Sequence, residues 1–238
     1  MRIVKAIFIK QAKDMLKNPA VLVMFFVFPA VALIMTNLVV VEDIPPNMFV
    51  TMMASIFAGM GLITSASGVI SEDIEQKSLR FLMIAGVKPY QYLLGTIGFY
   101  LLAGAVISVV FALIGDFTGT ETLKFLAVMI SGTAASILLG AAIGMLSKNQ
   151  QTSTALGMPV AMIVGFTPMI ATFNETVGSI AGFMYTQQIN VIVNDFSLNL
   201  ARPLSVIAAN IAVFTVLFVV AYRRKGLRRS ADRQVASI

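Results

Sequence analysis

The chain has 238 residues, of which 58% are hydrophobic and 12% are charged, and its formal net charge is +6. Soluble domains are about a quarter charged, so this composition excludes a single soluble core and indicates a set of membrane spans. The absence of histidine and cysteine excludes serine–histidine intramembrane proteases, His-Glu-x-x-His metalloproteases and thiol–disulfide chemistry.

Residues 1–18 predict an amphipathic helix that lies in the membrane interface. Its basic residues occupy one helical face, and the opposite face is formed by Val4, Ile7, Phe8, Ala12 and Met15. Asn18-Pro19 ends the helix, because the residue before a proline leaves helical geometry. The spread of its charges and the lack of a cleavage pattern distinguish it from a signal peptide. Anchoring of the first span and contact with a cytoplasmic subunit are equally open roles.

Six apolar segments follow, each long enough to cross a hydrocarbon core of roughly 30 Å. They cover residues 20–41, 47–71, 91–115, 122–146, 153–173 and 203–222. Segment 174–202 carries too many polar residues for a full span and predicts short external re-entrant or interfacial helices, with a surface loop as the alternative. The expected fold is therefore an all-α integral membrane protein with six transmembrane helices in one permease domain.

Lysine and arginine are concentrated on one side of this six-span arrangement. Of the 17 basic residues, only Lys124 and Arg202 fall on the other side, where the loops carry acidic residues such as Glu42 and Asp43. Because basic loops stay in the cytoplasm, both termini and the loop after the second span are predicted to be cytoplasmic. The protein is expected in a cell membrane, of bacterial origin. The same rule explains the positive net charge, so no nucleic-acid partner is expected. The basic tail 223–238 is expected to contact anionic membrane lipids.

The loop between the second and third spans is unusually charged and helix-prone. Its pattern predicts a helix over residues 72–89 at the membrane surface, with Leu79, Leu82 and Met83 on one face. The charges of Glu72, Glu75, Lys77 and Arg80 suit a reversible polar contact with a partner. The apolar Leu79, Phe81 and Leu82 would pack toward the membrane or in a groove of that partner. A solvated loop without a partner is the alternative.

The predicted spans carry no ionisable residue that would couple transport to protons or ions. The chain also lacks the Gly-x-x-x-x-Gly-Lys-Ser/Thr motif, so it has no P-loop of its own. We therefore expect no cofactor on this chain, and energy for uphill transport would come from another chain.

A series of local patterns resembles the membrane subunits of ABC-2 type ABC transporters, which have the type V exporter fold. The sharpest is Glu72-x-x-Glu75-x-x-Ser78-Leu79, followed by Leu82-Met83, Val87-Lys88-Pro89 and Leu93-Leu94-Gly95. A weaker one runs from Leu139-Gly140 through Gly144 to Ser147-Lys148-Asn149-Gln150-Gln151. The chain departs from the family pattern in two places. Many members have Glu-x-Gly-Thr-Leu-Glu where this chain has Gln76–Arg80, and the proline that often precedes the last external helix is not evident in 183–190.

The resemblance implies that residues 72–89 form the coupling helix, which sits in a groove of a separate cytoplasmic ATPase. ATP and Mg²⁺ would bind that ATPase. It also implies two permease subunits, identical or related, with a path lined by spans one, two and five. The expected function is ATP-driven export of an amphiphilic or hydrophobic cargo such as a peptide, a lipid-like molecule or a drug. The rival functions are a stand-alone carrier or channel and a non-transporting sensor or assembly component.

Polar residues within the spans are candidates for the transport path, although hydroxyl groups often bond back to their own helix. These candidates are Asn37, Thr51, Ser55, Thr64 and Ser67. Gly140-x-x-x-Gly144 is a pattern that lets two membrane helices approach closely, and ordinary packing within the chain is its simplest explanation.

Overall fold

The computed structural model describes residues 2–39 and 47–224, which are entirely helical apart from turns and connections. The helices are α1 (Arg2–Lys17), α2 (Pro19–Leu38), α3 (Met48–Ile56), a π-helical turn (Phe57–Gly61), α4 (Leu62–Glu75), α5 (Ser78–Ile84), α6 (Pro89–Ile114), α7 (Thr120–Leu146), α8 (Gln150–Phe173), α9 (Glu175–Ala181), α10 (Tyr185–Asn194) and α11 (Ala201–Arg224). Within these described ranges six helices are long and apolar enough to cross a membrane, with α3, the π-helical turn and α4 forming the second of them. The all-α, six-span prediction is confirmed.

Several helix ends lie a few residues beyond the predicted positions, because local caps set them. The Asn149 side chain accepts a hydrogen bond of 2.8 Å from the Thr152 N–H, so α8 starts at Gln150 rather than at 153. Pro89 occupies the first position of α6, where its missing N–H costs nothing. Residues 40–46 and the tail from 225 onward, with the predicted acidic pair Glu42 and Asp43, lie outside the described residues.

The prediction of one helix over residues 72–89 is wrong. Residues 72–75 are the last turn of α4, so the second span helix is longer than expected. Lys77 adopts the left-handed conformation with φ of 58° and breaks the helix, and α5 then covers only seven residues. Gly86, with φ of 84°, turns the chain into α6. The charged segment is thus a helix end, a break and a short helix.

The second and fourth spans form the centre of the bundle. In their most apolar parts 67% of residues are buried, against 17% in the first and last spans. Two glycines of α7 bring it against α4: a Cβ on Gly140 would lie 2.6 Å from the Ile63 carbonyl oxygen, and one on Gly144 would lie 2.6 Å from the Ser67 carbonyl oxygen. Only glycine permits this backbone approach, which places α4 against the middle of the molecule.

Residues 174–202 form α9 and α10 and pack against α8, where two of their side chains bond to its backbone. Pro168 has no N–H to donate to the Val164 carbonyl, and Thr186 Oγ1 donates to that oxygen at 2.7 Å. Asn190 Nδ2 donates to the Pro168 carbonyl at 3.1 Å. Thr186 therefore satisfies a carbonyl that a proline leaves open, as a membrane interior requires, and Asn190 adds a second bond to the α8 backbone.

The helix α1 packs on the start of α6. Ile7 is buried against Gly95, Phe8 meets Phe99 edge-on at 5.5 Å between ring centroids, and Gln11 Nε2 donates to Thr96 Oγ1 at 3.4 Å. The apolar face predicted to enter the membrane interface is therefore covered in part by protein.

Contacts between helix ends show which of them lie at the same end of the bundle. The Gln150 N–H at the start of α8 donates to Glu75, which brings α4, α5 and α8 to the end that carries α1. We call this the basic end, since every described lysine and arginine except Lys124 and Arg202 belongs to it. At the opposite end Lys124 Nζ donates to the carbonyls of Phe196 and Leu198 at 2.6 and 2.9 Å.

Candidate functional site

A buried polar cluster joins three helices at the basic end. Lys10 Nζ of α1 lies 2.7 Å from Asp73 Oδ1 of α4, and Tyr92 Oη of α6 donates to Asp73 Oδ2 at 2.7 Å. Lys10 also lies 3.2 Å from Asp14 within α1. The sequence prediction placed Asp73 on a surface helix and gave it no role. Its partner lies 63 positions earlier in the chain, and nothing in the local pattern indicates that pairing.

The cluster holds the Lys10 ammonium in its charged form. Partial burial by itself lowers the pKa of Lys10, but the hydrogen bond and the negative charge of Asp73 act against it, with smaller contributions from Asp14. Together they raise the pKa of Lys10 above its usual value. A charged Lys10 ties α1 to the ends of α4 and α6.

The short helix α5 is anchored on one face and exposed on the other. Leu79 is buried with Ile7 and Tyr92, and Leu82 and Met83 pack at the edge of the same cluster. The opposite side, which we call the α5 outer face, consists of four exposed residues: Lys77, Arg80, Phe81 and Ile84. Phe81 is 66% exposed. The sequence prediction assigned five residues of this segment to one partner contact. In the structure Leu79 and Leu82 face the protein, whereas Lys77, Arg80 and Phe81 are exposed.

The two predicted docking carboxylates have contacts within the chain. Glu75 Oε2 accepts the Gln150 N–H at 2.9 Å, where a negative charge is favoured by the α8 N-terminus. Glu72 Oε1 accepts a hydrogen bond of 2.9 Å from Gln76 Nε2. Glu75 therefore caps α8, and Glu72 lines a groove between α2, α4 and α8.

Two adjoining cavities form a groove between α2, α4 and α8 at the basic end. Their volumes are about 330 and 280 Å³, and both are lined by Asn18, Val21, Val69 and Glu72. The first extends to the α1–α2 junction, and the second extends to Thr64 and across to α8. We call the pair the α2–α4–α8 groove. Its walls come mostly from the first, second and fifth spans, and the first cavity is also lined by α1 and by Tyr100 of the third span.

Only one of the five predicted path residues lines this groove. Thr64 does so, and its hydroxyl donates to the Met60 carbonyl. Three others also bond to carbonyls of their own helix or its first residues: Asn37 to Leu33, Thr51 to Asn47, and Ser67 to Thr64. Ser55 is buried, and its hydroxyl has no hydrogen-bond partner within the described residues. Most side chains predicted to line the path therefore form hydrogen bonds with the backbone of their own span.

A feature that sequence analysis missed is the π-helical turn in the middle of the second span. Ser136 Oγ of α7 bonds to the Ala58 carbonyl in this turn and lies 2.8 Å from Tyr185 Oη of α10. A Cβ on Gly59 would lie 2.5 Å from Gly165 Cα of α8. The wide turn thus touches α7, α8 and, through Ser136, α10. Such turns often occur at functional sites.

No group of three or more acidic side chains forms a metal-binding set within residues 2–39 and 47–224. What the basic end offers instead is an exposed short helix, a groove and a polar cluster that connects them. This arrangement suits the binding of a partner and of an amphiphilic molecule.

The model of one protein family, described as ABC-2 family transporter protein, matches residues 45–222. The match covers about three quarters of the chain, from the start of the second span to the end of the sixth. No curated protein matches the sequence.

Proposed function

Since the chain belongs to the ABC-2 family of transporter proteins and is a membrane permease of an ABC transporter, we propose that it exports an amphiphilic or hydrophobic cargo. The energy comes from separate ATPase subunits, which bind ATP and Mg²⁺. The basic end faces the cytoplasm, as the distribution of lysine and arginine favours, and the opposite end faces outward.

The observation that carries the proposal is the α5 outer face. An aromatic ring that is 66% exposed stands beside Lys77 and Arg80 in the short connection between two spans. An exposed aromatic side chain with flanking cations is typical of an interaction hot spot. A matching ATPase groove would offer an apolar pocket for Phe81 and carboxylates for the two cations.

The attachment of α5 would let it pass a movement to the bundle. Leu79 is buried in a cluster with Ile70 of α4 and Tyr92 of α6, and α5 is separated from those helices by only short connections. A shift of α5 would therefore displace the ends of the second and third spans. Through the Lys10–Asp73 pair it would also displace α1.

We further propose that two permease subunits, identical or related, assemble with two ATPases. The described residues of one chain supply six candidate spans and an α2–α4–α8 groove whose walls come mostly from the first, second and fifth spans. The second subunit would complete a transport path along this side.

The test is Phe81→Asp, with Phe183→Asp as the matched control. Phe183 is also exposed, at 79%, but it lies between α9 and α10. We expect Phe81→Asp to abolish copurification with the ATPase and cargo export while the permease stays folded and inserted. Phe183→Asp should leave the complex intact. A full complex and normal export with Phe81→Asp would refute docking at α5.

A further inference from the structure

The α2–α4–α8 groove has its charged residues toward one end, which we call its polar part, and two methionines toward the other, its apolar part. The cavity at the α1–α2 junction is lined by Asp14, Lys17, Asn18 and Glu72. The second cavity continues between the spans along Met24 and Met158, and its other side chains beyond Glu72 are uncharged, among them Thr64, Ser65, Gln150 and Thr154. Because Asn18 and Pro19 mark the start of the first span, the polar part lies at the level of lipid headgroups and the apolar part at the level of acyl chains.

Of the three charged residues in the polar part, one cation and one anion have no ion pair with the described residues. Asp14 shares the Lys10 ammonium, at 3.2 Å, with Asp73, which lies closer to it at 2.7 Å. Neither Lys17 nor Glu72 forms an ion pair with the described residues. Glu72 uses one carboxylate oxygen for the neutral Gln76 amide, which leaves its charge uncompensated. Lys17 and Glu72 therefore face the same cavity with opposite, unpaired charges.

A ligand that matches this pair must itself carry both charges. An anionic lipid would compensate Lys17 with its phosphate but leave Glu72 without a counter-charge. A cationic amphiphile would compensate Glu72 alone. A zwitterionic headgroup compensates both, and a primary ammonium adds charge-assisted hydrogen bonds to the carboxylate that a trimethylated ammonium cannot donate.

We infer that the α2–α4–α8 groove binds a zwitterionic aminophospholipid of the inner leaflet, with its ammonium at Glu72 and its phosphate at Lys17. The acyl chains lie along Val21, Met24 and Met158. This inference rests on the proposed function for the orientation of the basic end toward the cytoplasm, whereas the binding itself requires no ATPase.

The experiment measures lipid binding to the purified full chain by native mass spectrometry. The lipids are phosphatidylethanolamine, phosphatidylcholine and phosphatidylglycerol with identical acyl chains. We expect phosphatidylethanolamine to bind roughly tenfold more tightly than phosphatidylcholine, the effect of a charge-assisted hydrogen bond. Phosphatidylglycerol should bind more weakly than phosphatidylethanolamine.

Two variants test the assigned contacts. Glu72→Gln should weaken both zwitterionic lipids, because each loses a counter-charge for its ammonium, and should remove the preference for phosphatidylethanolamine over phosphatidylcholine. Lys17→Gln should weaken both zwitterionic lipids by the same factor. The matched controls Glu121→Gln and Lys13→Gln alter charges that do not line the groove and should change nothing. If Glu72→Gln fails to fold, Glu72→Asp, which keeps the charge, should retain the preference.

Three results would overturn the inference: equal binding of phosphatidylglycerol, a preference that survives Glu72→Gln, or the same loss in the control variants. Its failure is separable from that of the proposed function. A chain that copurifies with its ATPase and exports cargo, yet shows no lipid preference, contradicts the lipid site alone. A chain that shows the lipid preference but binds no ATPase contradicts the proposed function alone.

Discussion

At the residue scale, the Lys10–Asp73–Tyr92 cluster is unequal in its exposure to water. The Lys10 side chain is 37% exposed and the Asp73 side chain is 5% exposed. Removing the carboxylate leaves a lysine that can turn to solvent, whereas removing the lysine leaves a buried carboxylate with only the Tyr92 hydroxyl. Breaking a buried pair costs most when a buried charge is left alone.

We therefore predict that Lys10→Met destabilises the protein more than Asp73→Asn. Lys10→Met should lower the melting temperature in detergent micelles by roughly 5 °C, and Asp73→Asn by less. Because the folded-state pKa of Lys10 is raised, its contribution is fully present below the unfolded pKa of about 10.4 and is lost at higher pH.

The difference between wild type and Lys10→Met should accordingly stay constant from about pH 6 to 9 and shrink only above about pH 10.4. Thermal scans across this range check both statements. An Asp73→Asn variant that is less stable than Lys10→Met would show that the exposure argument fails.

At the element scale, the fourth span owes its central position to glycines that face neighbouring backbone. We predict that Gly140→Ala costs about 1–3 kcal/mol of unfolding free energy, because its new methyl would press on the Ile63 carbonyl, which cannot move alone. Gly132→Ala on the same helix is the control, since its nearest neighbour would be a Tyr185 ring carbon at 3.6 Å, an ordinary contact. Chemical unfolding of both variants in micelles measures the difference, and equal stabilities would contradict the packing account.

The span helices could be predicted from sequence because a bilayer requires long apolar segments, and length and composition report these directly. The break at Lys77 and the π-helical turn could not. The partners of the π-helical turn, Ser136 and Tyr185, are distant in sequence, and no glycine or proline marks the break at Lys77. The groove escaped prediction for the same reason, because Lys17 and Glu72 meet only after α1 and α4 are placed.

The polar residues of the second span show a related limit of sequence-based prediction. Sequence patterns find hydroxyl groups in an apolar span but cannot tell which oxygen each one bonds. Thr51 and Ser67 bond to carbonyls of their own span, and Thr64 does so while lining the groove. A polar residue in a membrane helix therefore identifies a path only once its hydrogen bonds are known.

At the scale of the whole molecule, the lack of cysteine allows sidedness to be tested in the native sequence. We predict that Lys148→Cys, in the loop between α7 and α8, is labelled by a membrane-impermeant maleimide only after cells are permeabilised. Glu175→Cys, at the start of α9, should be labelled in intact cells. Both positions are exposed, so accessibility within the protein does not distinguish them. Labelling of Lys148→Cys in intact cells would reverse the proposed orientation.

The π-helical turn also has a consequence for how the second span can evolve. A π-helical turn contains more residues than an α-helical turn, so the span accommodates an additional residue at Phe57–Gly61. Losing one residue there would rotate α3 relative to α4 by about 100°, the angle between successive residues of an α-helix. Substitutions elsewhere in the span change its chemistry, but insertions and deletions at this turn change the angular phase between its two halves. One half packs beside α10, and the other carries Glu72 and Asp73 toward the basic end.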